Sequence, residues 1–287
     1  MNPLLQTSPA VINAQSARTP ARQIVPESPV SVPLQPPLKD WRAFDPSAYL
    51  NEYYSDLGEE NLAILRFYAD VFRALAPKST MLDFGSGPTI YSLISAVTRV
   101  EEIHIVEYLE ANRLELRKWF QGDNTAFNWR HFIRAALQIE KQGSCSAFDI
   151  LRRTAKIRNS VTSIGRCDVR QVPPFVRGRQ RYDVVTSNFC AESITDSHEE
   201  WRAFVANIAS LVAVGGTFLM TALKKATCYS VGPVFFPAVA LDEDDLTAVL
   251  REAGFSAPSI VIRSVPADRP SRHYEGLMLA AAVKRES

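Results

Sequence analysis

The sequence has little of what would make it a disulfide scaffold, a nucleic-acid binder or a membrane protein. Among its 287 residues there are only four cysteines, Cys145, Cys167, Cys190 and Cys228, and no two of them form a C-x-x-C pair. That spacing argues against a disulfide framework or a zinc site, so no metal is expected and a reducing, cytoplasmic setting fits best. Charge of one sign is missing as well: 32 Lys and Arg oppose 31 Asp and Glu, a net charge of +1. Without a basic field there is no reason to expect nucleic acid or a membrane surface as a partner. No apolar run approaches the length of a membrane span, and the N-terminus lacks a basic stretch followed by an apolar one, so neither insertion nor secretion is expected. What is present is a hydrophobic content of 46%, enough for one large core or two small ones.

The first 39 residues are rich in Pro, Ser, Gln and Ala and have no sustained periodicity. Their "PESPVSVPLQPP" breaks both helix and ladder, so residues 1–39 read as a flexible tail and 40–287 as the folded unit. A docking segment or an organellar address is the alternative, the latter because Arg18 and Arg22 precede any acid. At Asp40 the texture changes. Asp45 is a candidate N-cap with Pro46 at the first helical position. Tyr49 and Tyr53 then fall on one helical face with Tyr54 beside them. Taken alone, these rings read as an amphipathic helix packed on a core. A second helix is expected from about Glu59 to Leu75, with Leu62, Leu65, Tyr68, Ala69 and Phe72 as its stripe.

Beyond that, short apolar runs alternate with helical patterns. Strands are expected at Thr80–Phe84, Ile103–Val106, Val161–Ile164, Tyr182–Ser187, Thr217–Ala222, Ser259–Ser264 and Gly276–Val283. Helices are expected at Ile90–Val97, Glu110–Phe120, His198–Val212 and Glu243–Ala253. In the third of these, Trp201, Phe204, Val205, Ile208 and Leu211 form one stripe, which reads as core. The section 124–160 reads as an insertion of helical and irregular structure. Alternation of this kind implies an α/β fold: a seven-stranded, mostly parallel sheet with helices on both faces. Ligands of such sheets bind beyond the carboxyl ends of the strands, at the topological switch point.

The stretch "MLDFGSGPTIYSL" at 81–93 is the most informative. An apolar run ends in Asp83, two glycines follow at Gly85 and Gly87, and a helix pattern begins after Thr89. Glycine there lets backbone approach a ligand closely or take φ > 0. About twenty residues on, Glu107 ends the next strand, where an acid can accept from two ribose hydroxyls. Ile90 stands where a dinucleotide fingerprint has its third glycine, and Pro88 removes a donor that a pyrophosphate would use. A nucleoside without phosphate, such as S-adenosyl-L-methionine, suits this turn better.

In chain order, "FDPSAYLNEYY", "DFGSGPTIYSL", "VEYLEAN", "CDV" (167–169), "NFCAES" (188–193) and "EGLMLAAAVKR" together resemble the nicotinamide, phenylethanolamine and thioether (indolethylamine) methyltransferase family. The similarity covers about Asp40 to the end. It implies a class I, Rossmann-like methyltransferase domain whose helical lid (40–76) carries Tyr49 and Tyr54. Gly85, Ser86, Gly87 and Thr89 match the turn that cradles the methionine part of S-adenosylmethionine. Glu107 matches the ribose-binding acid, with Tyr108 and Asn112 beside the nucleoside. Asp168 and Val169 match the pair at the adenine, and Asn188 joins the cofactor set. Glu192 matches an acid facing the acceptor nitrogen and, with Tyr54, is the expected catalytic pair. The acceptor is expected to meet Tyr53, Phe189, Glu192, Thr221, Lys224 and Tyr229.

The chain departs from the nicotinamide enzyme, which has an aspartate where Thr221 stands. The segment "KKATCYSVGPVFFP" also lacks the serines that complete that substrate's contacts. The reading is therefore an N-methyltransferase of a small amine or azaheterocycle. S-methylation of a thioether such as methionine is the alternative, with Lys224 or Lys225 meeting a substrate carboxylate. A nicotinamide-dependent oxidoreductase and a non-catalytic binding protein are the other classes. The partner is a small-molecule acceptor, and the chain is a monomer or a dimer.

Overall fold

The computed structural model describes residues 40–175, 181–268 and 273–285. The proline-rich stretch expected to be a tail lies outside them. Seven strands form one sheet: β1 (Lys78–Phe84), β2 (Val100–Val106), β3 (Val161–Gly165), β4 (Tyr182–Asn188), β5 (Val212–Lys224), β8 (Val261–Pro266) and β9 (Gly276–Val283). Their order is β3-β2-β1-β4-β5-β9-β8. Only the β9 pairings are antiparallel, so the α/β class and the mostly parallel sheet are as expected. The order reverses between β1 and β4, which places the switch point beside the glycine turn.

The central strands β1, β4, β5 and β9 are buried on both faces, whereas the edge strands β3 and β8 are half-exposed. Met81, Val184, Leu219 and Leu279 point into one core. Their neighbours Leu82, Val185, Met220 and Ala280 point into the other. The first core is closed by α2 (Gly58–Ala74), α3 (Tyr91–Ala96), α5 (Arg130–Lys141) and α6 (Ala147–Ser160). The second is closed by α7 (His198–Ala209) and α8 (Glu243–Glu252). Two further helices, α1 (Pro46–Tyr54) and α4 (Glu110–Gln121), also pack on the first core, through Leu50 and Tyr54 and through Leu116 and Trp119. The Asp45 side chain caps α1 by accepting from the amides of Ser47 and Ala48, with Pro46 at the first turn.

Three boundaries differ from the sequence reading, each for a local reason. Helix α7 stops at Ala209 and β5 begins at Val212, earlier than its glycines suggested. Gly215 takes φ of +71° inside that strand, and the β4–β5 register shifts near it, so the glycines mark a bulge, not a break. A hairpin of β6 (Cys228–Val231) and β7 (Val234–Pro237) was not anticipated; Gly232, at φ +55°, turns it. Within 124–160, α6 runs straight into β3, and Trp129 and Phe132 are buried in the first core. This segment is a helical crossover layer between β2 and β3.

Candidate active site

A cavity of about 600 Å³ opens at the carboxyl ends of β1, β2 and β4. Its floor is the turn after β1. Gly85 and Gly87 take φ of +64° and +59°. A Cβ on Gly85 would stand 2.2 Å from Cys190 Sγ, so the turn and the loop after β4 pack too closely for any side chain there. A Cβ on Gly87 would meet nothing within 4 Å among the described residues, so that backbone faces open space. The turn is held from below: the Gly85 amide donates to Val106 O (2.8 Å) and Thr89 Oγ1 to Ser86 O (2.8 Å). Behind it, buried Asp83 accepts from Thr186 Oγ1 (2.6 Å) and Ser92 Oγ (2.8 Å). Burial pushes its carboxyl up to about 6. The acid that precedes the glycines is thus a clamp between β4 and α3.

Glu107 does two jobs at once. Its Oε2 accepts from the Gly87 amide (2.9 Å), and its Oε1 accepts from the Leu109 amide (2.8 Å) and Asn112 Nδ2 (3.1 Å). Burial raises its pKa, and these donors oppose the rise. Three of roughly four acceptor positions on a carboxylate are therefore filled, leaving one for a ligand hydroxyl. Asn112 is buried and lines the cavity, yet its Oδ1 has no partner among the described residues. An orphaned acceptor there calls for a donor from a ligand. At the far end the Tyr108 ring lies under the guanidinium groups of Arg166 (5.5 Å) and Arg170 (5.2 Å). Arg170 also grips Asp168 through Nε (2.8 Å) and a terminal nitrogen (2.9 Å), holding that carboxyl low. Val169 is buried against the same wall.

The roof is aromatic. Tyr49 and Tyr54 share a hydroxyl contact of 3.2 Å, and Tyr54 stacks on Tyr91 at 5.6 Å. Tyr53 OH donates to Ser230 O at 2.8 Å, tying α1 to the β6–β7 hairpin. The tyrosines pack as a core would, and all of them line the cavity.

The other half of the cavity is bounded by Trp41, Phe44, Ile64, Phe189, Leu223, Tyr229 and Leu277, with Asp56, Glu60, Asp268 and Tyr274 as its polar members. Tyr274 OH donates to Glu60 Oε2 at 2.9 Å. Phe189 sits at φ +49°, a left-handed conformation costly for a bulky residue. It turns the chain immediately after β4, and its amide donates to Thr221 O at 2.8 Å.

Three expected acceptor residues do not form the cavity wall. Lys224 is turned to α8, its Nζ 2.6 Å from Glu243 Oε1, and Lys225 pairs with Asp242 at 2.7 Å. The expectation of a lysine facing a substrate carboxylate is not met, because the acidic start of α8 takes both cations. Thr221 is buried within β5, and its Oγ1 has no partner among the described residues. Glu192 is fully buried behind the wall. Its Oε1 accepts from the Leu223 amide (3.3 Å), and its Oε2 has no partner among the described residues. Burial pushes its carboxyl up to about 7. Cys190 and Tyr229, both on the wall, are raised first by their own burial and then in part by the Glu192 charge.

Several wall residues had no sequence signal. Phe204 lines the cavity from within the stripe read as core, and Tyr91 follows the glycine motif without being singled out. Trp41, Glu60, Asp268 and Tyr274 come from segments that converge only in three dimensions.

The sequence model of the NNMT/PNMT/TEMT family matches residues 38–285. Human phenylethanolamine N-methyltransferase is 29% identical over 238 residues, covering 79% of this chain and 83% of that protein. Mouse indolethylamine N-methyltransferase is 27% identical over 254 residues, covering 86% and 95%. Among solved structures, a SAM-dependent methyltransferase from Methanosarcina mazei superposes with a TM-score of 0.52 at 10% identity, covering 76% of this chain and 98% of that one.

Proposed function

The chain belongs to the NNMT/PNMT/TEMT family, and on that premise we propose that it is an S-adenosylmethionine-dependent methyltransferase acting on a nitrogen of a small amine or azaheterocycle. One observation carries the choice of acceptor. Its half of the cavity is lined by aromatic and acidic side chains, and the cations of the described lining are already taken. Arg42 is tied to Asp40 at 2.7 Å and Arg170 to Asp168 at 2.8 Å. An apolar or aromatic body that carries, or gains, positive charge suits such a chamber. A free amino acid does not, since Lys224 and Lys225 are committed elsewhere. This disfavours methionine as the thioether acceptor. Without the nicotinamide enzyme's aspartate at Thr221, nicotinamide is also a poor candidate.

The residues present fit the cofactor. The open face of Gly87, the free acceptor position on Glu107 and the orphaned Asn112 Oδ1 suit a nucleoside with vicinal hydroxyls. In this reading Gly85, Ser86, Gly87 and Thr89 hold its amino-acid side, Glu107 and Asn112 its ribose, and Tyr108, Asp168 and Val169 its base. S-adenosylmethionine supplies an electrophilic methyl on a sulfonium, so the protein need not make a strong nucleophile. Its task is to align donor and acceptor and to exclude water, which can contribute roughly 7–11 kcal/mol. Tyr49, Tyr53 and Tyr54 close the roof. Phe189 and Tyr229 hold the acceptor body, and Glu192, buried behind that wall, acts on the cationic nitrogen through a bridging water, stabilising it and receiving its proton.

A cytoplasmic setting, supported by four free thiols, belongs to the same proposal, as does a catalytic unit spanning 40–287. No helix among the described residues is long and apolar enough to cross a membrane. The test is incubation with labelled S-adenosylmethionine and a panel of arylalkylamines, azaheterocycles, thioethers and amino acids. Transfer to an amine without a carboxylate is expected; transfer confined to methionine would refute the reading.

A further inference from the structure

Asn188, the last residue of β4, lies on the cavity wall at the switch point, across from the glycine turn. Its side-chain carbonyl is already used: Tyr68 OH donates to Asn188 Oδ1 at 2.9 Å. Tyr68 comes from α2, and its ring is 1% exposed, wedged edge-on against Tyr91 at 6.5 Å and beside Phe72 at 6.1 Å. Burial keeps that phenol neutral and therefore a donor throughout the physiological range. The nearby acid, Asp83, is engaged by the hydroxyls of Thr186 and Ser92, and the Tyr68 hydroxyl is bonded to Asn188 instead. With its carbonyl occupied, the Asn188 amide can present only N–H donors to the cavity. The hydrogen bond of this side chain among the described residues is the one Oδ1 accepts from Tyr68, and Asn188 lies on the cavity wall.

We propose that Tyr68 is a positioning residue that orients the Asn188 amide so that Nδ2 donates to a carboxylate oxygen on the amino-acid part of the cofactor. This rests on the reading of the cavity as an S-adenosylmethionine site. The choice of a carboxylate follows from charge. The cofactor's α-carboxylate must be met inside a cavity whose described cations, Arg42 and Arg170, are bound to acids of their own. Neutral donors have to do this work: tyrosine hydroxyls of the roof, backbone amides of the turn, and the one side-chain amide held at the end of β4. A hydrogen bond to a charged acceptor is stronger than one between neutral groups, so a pre-oriented amide is well used there. Because Tyr68 belongs to α2, the same contact ties this helix to the floor of the site.

The test compares Tyr68→Phe, Asn188→Ala and the double variant by calorimetry, with S-adenosylhomocysteine and 5′-methylthioadenosine as ligands. The second ligand has the nucleoside and sulfur but no amino-acid part. Asn188→Ala should weaken S-adenosylhomocysteine by roughly 10- to 100-fold, the range for a bond to a charged group. Tyr68→Phe, which keeps the ring, should weaken it by roughly 3- to 10-fold. The double variant should be no worse than Asn188→Ala, since Tyr68 acts through Asn188. Affinity for 5′-methylthioadenosine should stay within about twofold in all three, whereas a general loosening of the fold would lower both ligands together. If the wild type binds S-adenosylhomocysteine and the variants bind it equally well, the inference fails and the cofactor reading stands. Losses that multiply in the double variant, or that appear equally with 5′-methylthioadenosine, would also overturn it. A wild type that binds neither ligand overturns the cofactor reading and this inference with it.

Discussion

Replacing Glu192 by Gln should lower turnover and raise stability at the same time, with both effects tied to pH. The carboxyl is fully buried, with one oxygen unpartnered among the described residues, and its pKa is raised from 4.5 to about 7. At about 1.36 kcal/mol per unit, burying the ionised form costs on the order of 3 kcal/mol. A substrate ammonium about 5.5 Å away, beyond one bridging water, would return roughly 3 kcal/mol at an effective dielectric of 20, about enough to offset that cost. In the free enzyme the neutral acid is the favoured form below about pH 7. Glu192 therefore contributes its full stability below pH 4.5 and loses it progressively as pH rises to about 7. The wild-type kcat/KM for an amine should fall about tenfold per unit below pH 7, where the base is protonated. Glu192→Gln should lose that limb and run roughly 10²–10⁴ slower above it. Its Tm should match the wild type at pH 4 and exceed it at pH 8. Pre-steady-state turnover and scanning calorimetry across pH 4–9 measure the two effects. A variant that keeps the wild-type pH limb, or that melts below wild type at pH 8, would refute the assignment.

Other outcomes follow from individual contacts. Glu107→Ala should weaken S-adenosylhomocysteine by roughly 1.5–3 kcal/mol and also lower Tm, because the Gly87 amide loses its acceptor; unchanged calorimetric affinity would remove Glu107 from the site. Gly85→Ala should abolish cofactor binding, since its Cβ would clash with Cys190 Sγ at 2.2 Å and φ is +64°. Adding Cys190→Gly, which removes both Sγ and the Cβ that would stand at 2.9 Å, should recover part of the binding, leaving a backbone cost of about 1 kcal/mol. Lys224→Ala should leave kcat and KM within twofold and cost at most about 1 kcal/mol of stability, as expected of a partly exposed ion pair; a raised acceptor KM would restore it to the site. Tyr54→Phe should slow methyl transfer without a comparable loss of Tm, and deletion of residues 1–39 should leave both intact.

Local pattern was enough for the scaffold and for half of the site. Apolar runs predicted all seven strands of the main sheet; the five inner strands carry the buried positions, and the edge strands β3 and β8 are half-exposed. The glycine turn and Glu107 were legible because they are close in sequence and serve a fixed geometry. The turn and the strand that delivers the acid are neighbours in the sheet, with Asp83 opposite Ile105. The half of the cavity proposed for the acceptor was not legible in this way. Glu60, Asp268 and Tyr274 come from α2 and from either side of the β8–β9 connection, more than 200 residues apart in the chain. Nothing in local periodicity brings them together; that requires α2 to dock against the antiparallel edge of the sheet. The fate of the charged residues was likewise a tertiary matter. Lys224 and Lys225 have the same sequence whether they face a substrate or a helix. The acidic first turn of α8 captures them because α8 packs beside the end of β5. Tyr68 read as one member of a helical stripe, and only the approach of α2 to the end of β4 gave its hydroxyl a partner. Short-range spacing fixes which residues share a turn or a face; which faces meet, and which charges cancel, is decided by packing between elements far apart in the chain.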